Sequence, residues 1–182
     1  MAKTSTKLAV TGAVSGAVLA AAIAIGPVVH HFEPAPLQQG VSVAYFDTSG
    51  KVWTICDGHT RGVKAGDKAT PAQCDAFSLD DRIEAALTVE RCLPMLTNPD
   101  HIGALADAAF NVGPKVVCGS TLQRKAQVGD YFGMCTQLTD ATGADGWPDG
   151  WTKGGGKRMK GLVIRRIYDR DWCLGHKHAS FP

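Results

Sequence analysis

Residues 40–62, GVSVAYFDTSGKVWTICDGHTRG, constrain the fold more than any other stretch of this chain. Residues that favour strands alternate through Val41, Val43 and Tyr45, residues 47–50 have the composition of a turn, and strand-forming residues return after them. Alternation on both sides of a polar turn that contains glycine predicts a β-hairpin. Because an isolated hairpin is only marginally stable in water, the rest of the chain must pack against it.

The composition is that of one globular domain with an additional N-terminal segment. The chain has 182 residues, 45% of them hydrophobic, which is enough to bury a core. Its formal net charge of +2 is small. The charge therefore gives no reason to expect a nucleic-acid partner.

The N-terminal segment has the length of a membrane span. Lys3 and Lys7 precede an uncharged run over residues 8–29. As a helix this run reaches about 33 Å, just enough to cross a hydrocarbon core of about 30 Å. The positive charges before it predict an N-in, C-out orientation. We therefore expect residues 1–29 to lie outside the globular fold, which we place at residues 30–178.

Three fates of this segment remain open at the level of the sequence. The run is rich in Ala, Gly, Ser and Thr, so it is only weakly apolar. It could be a cleaved signal peptide, with residues 22–24 as a fair cleavage site, although its apolar core is longer than usual. It could also be a permanent anchor, or a span weak enough to leave the bilayer later.

The remaining pattern is mainly helical. Thr70, Pro71 and Gln73 form an N-cap, an N1 proline and a capping box, which predict a helix that runs to about Cys92. Two or three shorter helices are expected within residues 100–139, then a loop and a basic helix. The predicted class is α+β: a mainly helical domain with a small hairpin lobe, preceded by an N-terminal membrane helix.

Six cysteines follow the export segment, and an even number outside the cytoplasm predicts disulfides. Fifteen connectivities are possible in principle. Local closure favours Cys56–Cys74 and Cys92–Cys118, which leaves Cys135–Cys173. No spacing of Cys or His is typical of zinc, so we expect no metal site.

Several ordered blocks carry a family resemblance. They are Tyr45-Phe46-Asp47, residues 53–60 (WTICDGHT), Phe110-Asn111-Val112-Gly113 and residues 154–163 (GGGKRMKGLV). Together they resemble the phage-type lysozymes of glycoside hydrolase family 24. The resemblance implies a lysozyme-like fold and a monomer without a cofactor. It also implies hydrolysis of the β-1,4 bond between N-acetylmuramic acid and N-acetylglucosamine in peptidoglycan.

The N-terminal run resembles the signal-anchor-release segments of P21-type endolysins. This resemblance implies an enzyme held inactive in the host inner membrane through residues 8–29. It further implies release into the periplasm and a functional link to a holin or pinholin, the phage proteins that trigger lysis.

The family pattern implies three catalytic residues. Glu33 corresponds to the acid, Asp47 to the residue that positions or activates water, and Thr54 to a residue that helps hold that water. An inverting glycosidase needs two carboxyl groups on opposite faces of the scissile bond, and the acid must be protonated. Thirteen residues separate Glu33 from Asp47, more than in the family pattern, so replacement of the acid by Gln39 stays an alternative. An isolated Glu33 could also be a solvated charge at a helix end.

Further residues are candidates for substrate binding. Asn111 could contact sugar or cap its helix ahead of Gly113. Trp147 and Trp151 could stack on sugar rings or anchor their loop to the core. The basic helix within residues 157–173 is interpreted as a solvated face, with attraction to an anionic cell wall as its functional version.

Three alternatives to a membrane-released muramidase remain. A lytic transglycosylase of similar fold would use one carboxylate and leave an anhydro product. A catalytically inactive wall-binding protein would result if Gln39 replaces the acid. An ordinary secreted lysozyme would have its N-terminal segment cleaved.

Overall fold

The computed structural model describes residues 14–34, 37–48, 50–139 and 150–176. Helices dominate these residues, with small antiparallel sheets, which confirms the expected mixture of a helical body and a small sheet lobe. The helices are α1 (Gly16–Ala24), α2 (Gly26–Phe32), α3 (Pro71–Cys92), α4 (Pro99–Val112), α5 (Thr121–Gln127), α6 (Tyr131–Thr136) and α7 (Lys160–Cys173), with a 3-10 turn at Pro114–Val116. The strands are β1 (Leu37–Gln38), β2 (Val41–Val43), β3 (Tyr45–Asp47), β4 (Val52–Thr54), β5 (Lys68–Ala69), β6 (Lys153–Gly154) and β7 (Lys157–Arg158).

The predicted hairpin is present as β3 and β4. The two strands are antiparallel, with Tyr45 opposite Thr54 and Asp47 opposite Val52. The alternation that begins at residue 41 does not form one strand, however, because the chain changes partner at Ala44. Strand β2 pairs with β1 and β5 in a separate three-stranded sheet, so the sheet lobe is split into two small sheets.

Helix α3 is the central element of the helical body. Its predicted capping box is present: the Thr70 hydroxyl accepts a hydrogen bond from the Gln73 amide, and the Gln73 side chain accepts one from the Thr70 amide. Small residues of α3 pack against small residues of α4, and both helices contribute to one hydrophobic core. Small side chains let two helices approach closely, which brings the end of α4 next to the sheet lobe.

The N-terminal segment is part of this core. Val18, Ala21, Ile25 and Val29 are buried with residues of α3 and α4. In this structure α1 and α2, which the sequence predicts to lie outside the globular fold, therefore pack against its core. Pro27 lacks an amide hydrogen and follows the break between the two helices.

Within the described residues, no helix is long and apolar enough to cross a membrane. Helix α1 has nine residues, about 14 Å of helix. Residues 1–13, which include the start of the predicted membrane helix, lie outside the described residues.

Three disulfides connect the parts of the domain, in the pairs that local closure favours. Cys56–Cys74 joins the end of the hairpin to α3. Cys92–Cys118 joins the end of α3 to the chain after the 3-10 turn, and Cys135–Cys173 joins α6 to α7. Each bond joins two segments that are separated in sequence, so the bonds limit how far the unfolded chain can expand.

We predict that replacing both Cys135 and Cys173 by serine lowers the free energy of unfolding by about 3–4 kcal/mol, because this bond closes the longest of the three loops, with a sequence separation of 38 residues. Urea unfolding of the oxidised parent and the double variant measures this difference. The matched control replaces Cys56 and Cys74, whose separation is 18 residues, and should cost less. An equal or larger loss in the control would contradict an explanation based on loop length.

Candidate active site

Glu33 is the C-cap residue of α2 and precedes the first strand of the sheet lobe. Its backbone amide still donates to the Val29 carbonyl oxygen at 2.8 Å, so the position of Glu33 follows directly from the placement of the helix. The Oε1 atom of Glu33 accepts a hydrogen bond from Nδ2 of Asn111 at 3.1 Å and one from Nη1 of Arg165 at 2.7 Å. One carboxylate oxygen is thus held by two donors from two other helices.

Asn111 reaches Glu33 from the last turn of α4. The C-cap of this helix is Gly113, which adopts a φ of 85°. Glycine adopts such angles without strain, so the helix ends there without help from the Asn111 side chain. The amide of Asn111 is therefore directed at the carboxylate, although the sequence left a capping role equally open.

Arg165 is the centre of a buried ionic cluster. Its side chain is 2% exposed, and its Nε and Nη2 atoms each donate to an oxygen of Asp107 at 2.8 Å. The guanidinium also lies 5.3 Å from the ring centre of Phe32 and 5.9 Å from that of Phe110. Because four different contacts hold one planar group, Arg165 presents its remaining donor to Glu33 in a fixed direction.

The prediction that the basic helix offers a solvated cationic face is wrong for its two central arginines. Arg165 and Arg166 are buried, and Nη2 of Arg166 lies 2.7 Å from Oδ2 of Asp169, which is also buried. Buried cations are stable only when they are paired. Arg165 is paired with Asp107 through two hydrogen bonds, whereas Arg166 lies at ion-pair distance from Asp169 without a hydrogen bond between them. These two charges of the helix therefore lie in the interior of the domain.

The cluster shifts the acid–base equilibria of its members in opposite directions. Burial opposes the ionisation of Asp107, but the charge and hydrogen bonds of Arg165 outweigh it and hold the pKa of Asp107 below its ordinary value. Burial would lower the pKa of Arg165, but Asp107 and Glu33 outweigh it and raise this pKa. Burial raises the pKa of Asp169 well above its ordinary value, although Arg166 opposes the shift. The shifts of Asp107 and Arg165 thus both favour the ionised forms of the pair that touches Glu33.

Gly58 makes room for the other oxygen of Glu33. A Cβ atom at this position would lie 2.8 Å from Oε2 of Glu33, and the φ of Gly58 is 87°. Both the close approach and the backbone angle require glycine. The Asp57-Gly58-His59 segment thus forms one wall of the site, while His59 itself binds Asp81 at 2.6 Å and stacks on Phe77.

Asp47 is the last residue of β3 and lies opposite Val52 in the hairpin. Its Oδ2 atom accepts a hydrogen bond from the Gly50 amide at 3.0 Å, which ties the carboxylate to the turn. Burial raises the pKa of Tyr45, and the charges of both Glu33 and Asp47 add to the increase. The charges of the two carboxylates therefore both act on this phenol.

Thr54 and Gln39 are the other residues that the sequence suggests for the catalytic site. Thr54 is buried opposite Tyr45, and its hydroxyl donates to the Val52 carbonyl oxygen at 3.4 Å. Gln39, the alternative to Glu33, is exposed in the turn between β1 and β2. The structure thus brings Glu33, and not Gln39, into contact with Asn111 and Arg165.

Trp151 borders an open cavity of about 320 Å³. Its indole is 36% exposed, and the lining also includes Lys115, Arg124 and Gln137. This environment is partly cationic and partly aromatic. Trp147 lies outside the described residues.

One further group of residues has the composition of a metal site, but two of its members form a disulfide. His101 lies close to Cys135 and Cys173, but these two sulfur atoms are bonded to each other. A disulfide sulfur is not a thiolate and does not ligate metals in the way that a thiolate does.

Comparison with known proteins decides the family. Residues 38–168 match the phage lysozyme family. This chain belongs to that family. It is 36% identical over 138 residues to the SAR-endolysin of Enterobacteria phage P21, covering 75% of this chain and 77% of the relative. It is 35% identical over 159 residues to the SAR-endolysin of Pseudomonas phage phiKMV, covering 87% of this chain and 89% of the relative.

A solved structure agrees with the fold. The active form of the P1 phage endolysin Lyz superposes with a TM-score of 0.64 at 22% identity, covering 93% of this chain and 99% of the other. The resemblance to phage-type lysozymes that the motifs carry is thereby confirmed. The part of this phage lysozyme that matches the family begins at residue 38, after Glu33.

Sequence reasoning missed Asp107 and the buried role of Arg165 in this phage lysozyme. One signal was available: Asp107 is the single charge within the apolar stretch LADAAF of α4. A lone carboxylate among small apolar residues of a core helix needs a buried cation as its partner. No sequence pattern, however, connects residue 107 with residue 165.

We predict that Asp107→Leu lowers the free energy of unfolding by about 3–5 kcal/mol, because it leaves the Arg165 guanidinium buried without its bidentate partner. Adding Arg165→Met to that variant should recover much of the loss, since it removes the unpaired charge.

Urea unfolding monitored by circular dichroism measures both effects. The matched control breaks the exposed Lys125–Asp130 pair with Lys125→Met, which should change stability by no more than about 1 kcal/mol. A loss for Asp107→Leu as small as that of the control would contradict the assignment of Asp107 as the anchor of Arg165.

Proposed function

We propose that this protein is a phage endolysin, a muramidase that hydrolyses the β-1,4 bond between N-acetylmuramic acid and N-acetylglucosamine in peptidoglycan. Membership of the phage lysozyme family and the names of its relatives support the class of reaction. The observation that carries the assignment of the acid is the pair of hydrogen bonds from Asn111 and Arg165 to Oε1 of Glu33.

Glu33 serves as the general acid. Because Asn111 and Arg165 both donate to Oε1, the proton of the acid form resides on Oε2, the oxygen that faces Gly58. The absence of a side chain at Gly58 leaves space beside this oxygen. Transfer of that proton to the leaving glycosidic oxygen makes the sugar a good leaving group.

Asp47 acts on the opposite side of the scissile bond. Its carboxylate positions or activates the attacking water, and the Gly50 amide holds one of its oxygens in place. An inverting mechanism needs such a second carboxylate with room for water between the two. Thr54, whose place here rests on the family resemblance, helps to hold that water from β4.

The cavity beside Trp151 is suited to the glycan chain. An exposed indole offers a flat apolar face for a sugar ring. Trp147 stays a candidate for the same role on the basis of the sequence alone. Lys115 and Arg124 line the same cavity, and cations suit the carboxylates that peptidoglycan carries. We assign Trp151 to substrate binding on this basis, together with Asn111 through its contact with the acid.

We predict that Glu33→Gln abolishes the clearing of purified peptidoglycan, because an amide cannot donate the proton that the leaving oxygen needs. The substitution keeps the size of the side chain. The matched control is Gln39→Ala, which should retain the activity of the parent within about twofold. Turbidity loss measures both. Full activity of Glu33→Gln, or its loss in Gln39→Ala, would contradict the assignment.

The mass of the product separates the reaction types in the same assay. Hydrolysis adds one water to the cleaved strand, whereas a lytic transglycosylase leaves an anhydro sugar that lacks it. A parent protein that pellets with peptidoglycan without clearing it would instead be a wall-binding protein.

The N-terminal helices support a membrane-held precursor. The outward face of α1 in this structure is apolar: Leu19 is 44% exposed and Ile23 is 60% exposed, and the other exposed positions of the helix are a glycine and alanines. A helix made only for the surface of a soluble domain carries polar residues on that face. Apolar residues all around are explained if the same segment also lies in a bilayer.

The enzyme is accordingly held N-in, C-out in the host inner membrane through residues 8–29 and becomes active in the periplasm after release. Because Glu33 follows α2 directly, a segment that remains in the bilayer keeps the acid away from Asn111 and Arg165. A phage holin or pinholin is the expected trigger. Cleavage at residues 22–24 would separate α1 from the core, so we propose that the segment stays uncleaved.

We predict that Ile23→Lys removes the protein from the membrane fraction and leaves the activity of the soluble enzyme within about twofold of the parent. Lysine is tolerated at an exposed position of the folded domain. At the centre of a membrane helix, a lysine raises the free energy of membrane insertion by about 2.5–3.5 kcal/mol. Fractionation of expressing cells and peptidoglycan clearing measure the two parts.

The matched control is Val128→Lys, which makes the same change at a position that is 80% exposed and far along the chain from the membrane segment. This variant should distribute between membrane and soluble fractions like the parent. If Ile23→Lys also distributes like the parent, the membrane-held stage is wrong.

A further inference from the structure

Helix α1 carries no charge that complements its own dipole. Its sequence is GAVLAAAIA, with no acidic residue in the first turn and no basic residue in the last. The amide end of a helix favours a negative charge and the carbonyl end a positive one. A segment that also crosses a bilayer excludes such charges, so they must come from another part of the chain.

Helix α3 supplies a carboxylate at the start of α1. The N-cap Ser15 accepts a hydrogen bond from the Val18 amide, and its hydroxyl donates to Oε1 of Glu90 at 2.6 Å. Glu90 therefore places a negative charge at the amide end of α1.

The same helix supplies a cation at the end of α1. Nη1 of Arg82 donates to the Ala22 carbonyl oxygen at 2.6 Å, while its Nε donates to the Ser78 carbonyl oxygen at 3.1 Å. The second bond fixes the guanidinium on α3. Gly26 provides the space, because a Cβ atom there would lie 2.5 Å from Nη1 of Arg82.

The two contacts together define one alignment of α1 on α3. Ser15 and Ala22 lie about 10.5 Å apart along α1, and Glu90 and Arg82 about 12 Å apart along α3, with the two helices running in opposite directions. Sliding α1 by one turn, about 5.4 Å, would break both contacts at once. The surface between them consists largely of alanine and valine, which offers little resistance to sliding.

We infer that Arg82 and Glu90 are positioning residues that fix the register of the released N-terminal segment on α3 and thereby carry Glu33 to Asn111 and Arg165. This inference rests on the proposed function. The link is direct, because α2 follows α1 after one residue and ends at Glu33. An error of one turn in α1 moves the acid by more than the length of a hydrogen bond.

The test compares full-length released protein in three forms: Arg82→Met, Arg82→Lys and the parent. Methionine keeps much of the apolar stem of arginine and loses the donor, so kcat on peptidoglycan should fall about tenfold or more, the factor typical of losing a hydrogen bond from a charged group, while KM stays within twofold. Lysine can still donate to the Ala22 carbonyl oxygen and should restore most of the activity. The matched control is Arg91→Met on the exposed side of the same helix, which should behave like the parent.

A second variant tests the same contact without removing any charge. Gly26→Ala places a methyl group where Nη1 of Arg82 lies and should produce a similar loss of kcat. The double variant Gly26→Ala/Arg82→Met should be no worse than the more impaired single variant, since both disrupt one contact. If Arg82→Met does not fold, as judged by circular dichroism, Gly26→Ala decides the outcome.

The results separate this inference from the proposed function. An inactive parent contradicts the proposed function itself. An active parent with equally active Arg82→Met and Gly26→Ala overturns the inference alone. Loss of activity that Arg82→Lys does not restore, or that Arg91→Met shares, would show a general structural effect and would also overturn it.

Discussion

The buried ion pair between Arg165 and Asp107 is the interaction on which the candidate site depends. Taking both charges out of water is costly, and the bidentate geometry with two aromatic rings nearby offsets that cost only if the guanidinium stays in one orientation. That orientation leaves one donor directed at Glu33. The pair therefore connects the interior of the helical body to Glu33, the acid that we propose, and a rigid core holds this side chain in one position.

Local features of the fold could be predicted because their causes lie within a few residues. The turn chemistry after Asp47 and the capping box at Thr70 need only neighbours in sequence, and both are present. The six cysteines pair as short-range closure favours. The Asp107–Arg165–Glu33 connection joins residues from three helices far apart in the chain, and no periodicity in the sequence specifies such a distance.

The N-terminal segment shows a different limit of sequence reasoning. An uncharged run of this length is compatible with a membrane helix. It is equally compatible with packing in a protein core, because bilayer and core both exclude water. The features that specify the core are not in the run itself. They lie on α3, where Glu90 and Arg82 meet the two ends of α1. The pattern within the run alone therefore predicts a membrane helix and does not show that the segment also packs in the core.

The residues that separate Glu33 from Asp47 include strand β1. Strand β1 pairs with β2 through a two-residue turn in which Gln39 and Gly40 both have positive φ values, 51° and 83°. This is the geometry of the hairpin turns that match the twist of paired strands. Gln39 thus has a conformational role at the turn, and Glu33, the acid that we propose, comes from the end of α2. Because α2 continues from the N-terminal segment, the position of Glu33 depends on where that segment lies. A carboxylate within the sheet lobe would not depend on that segment in this way.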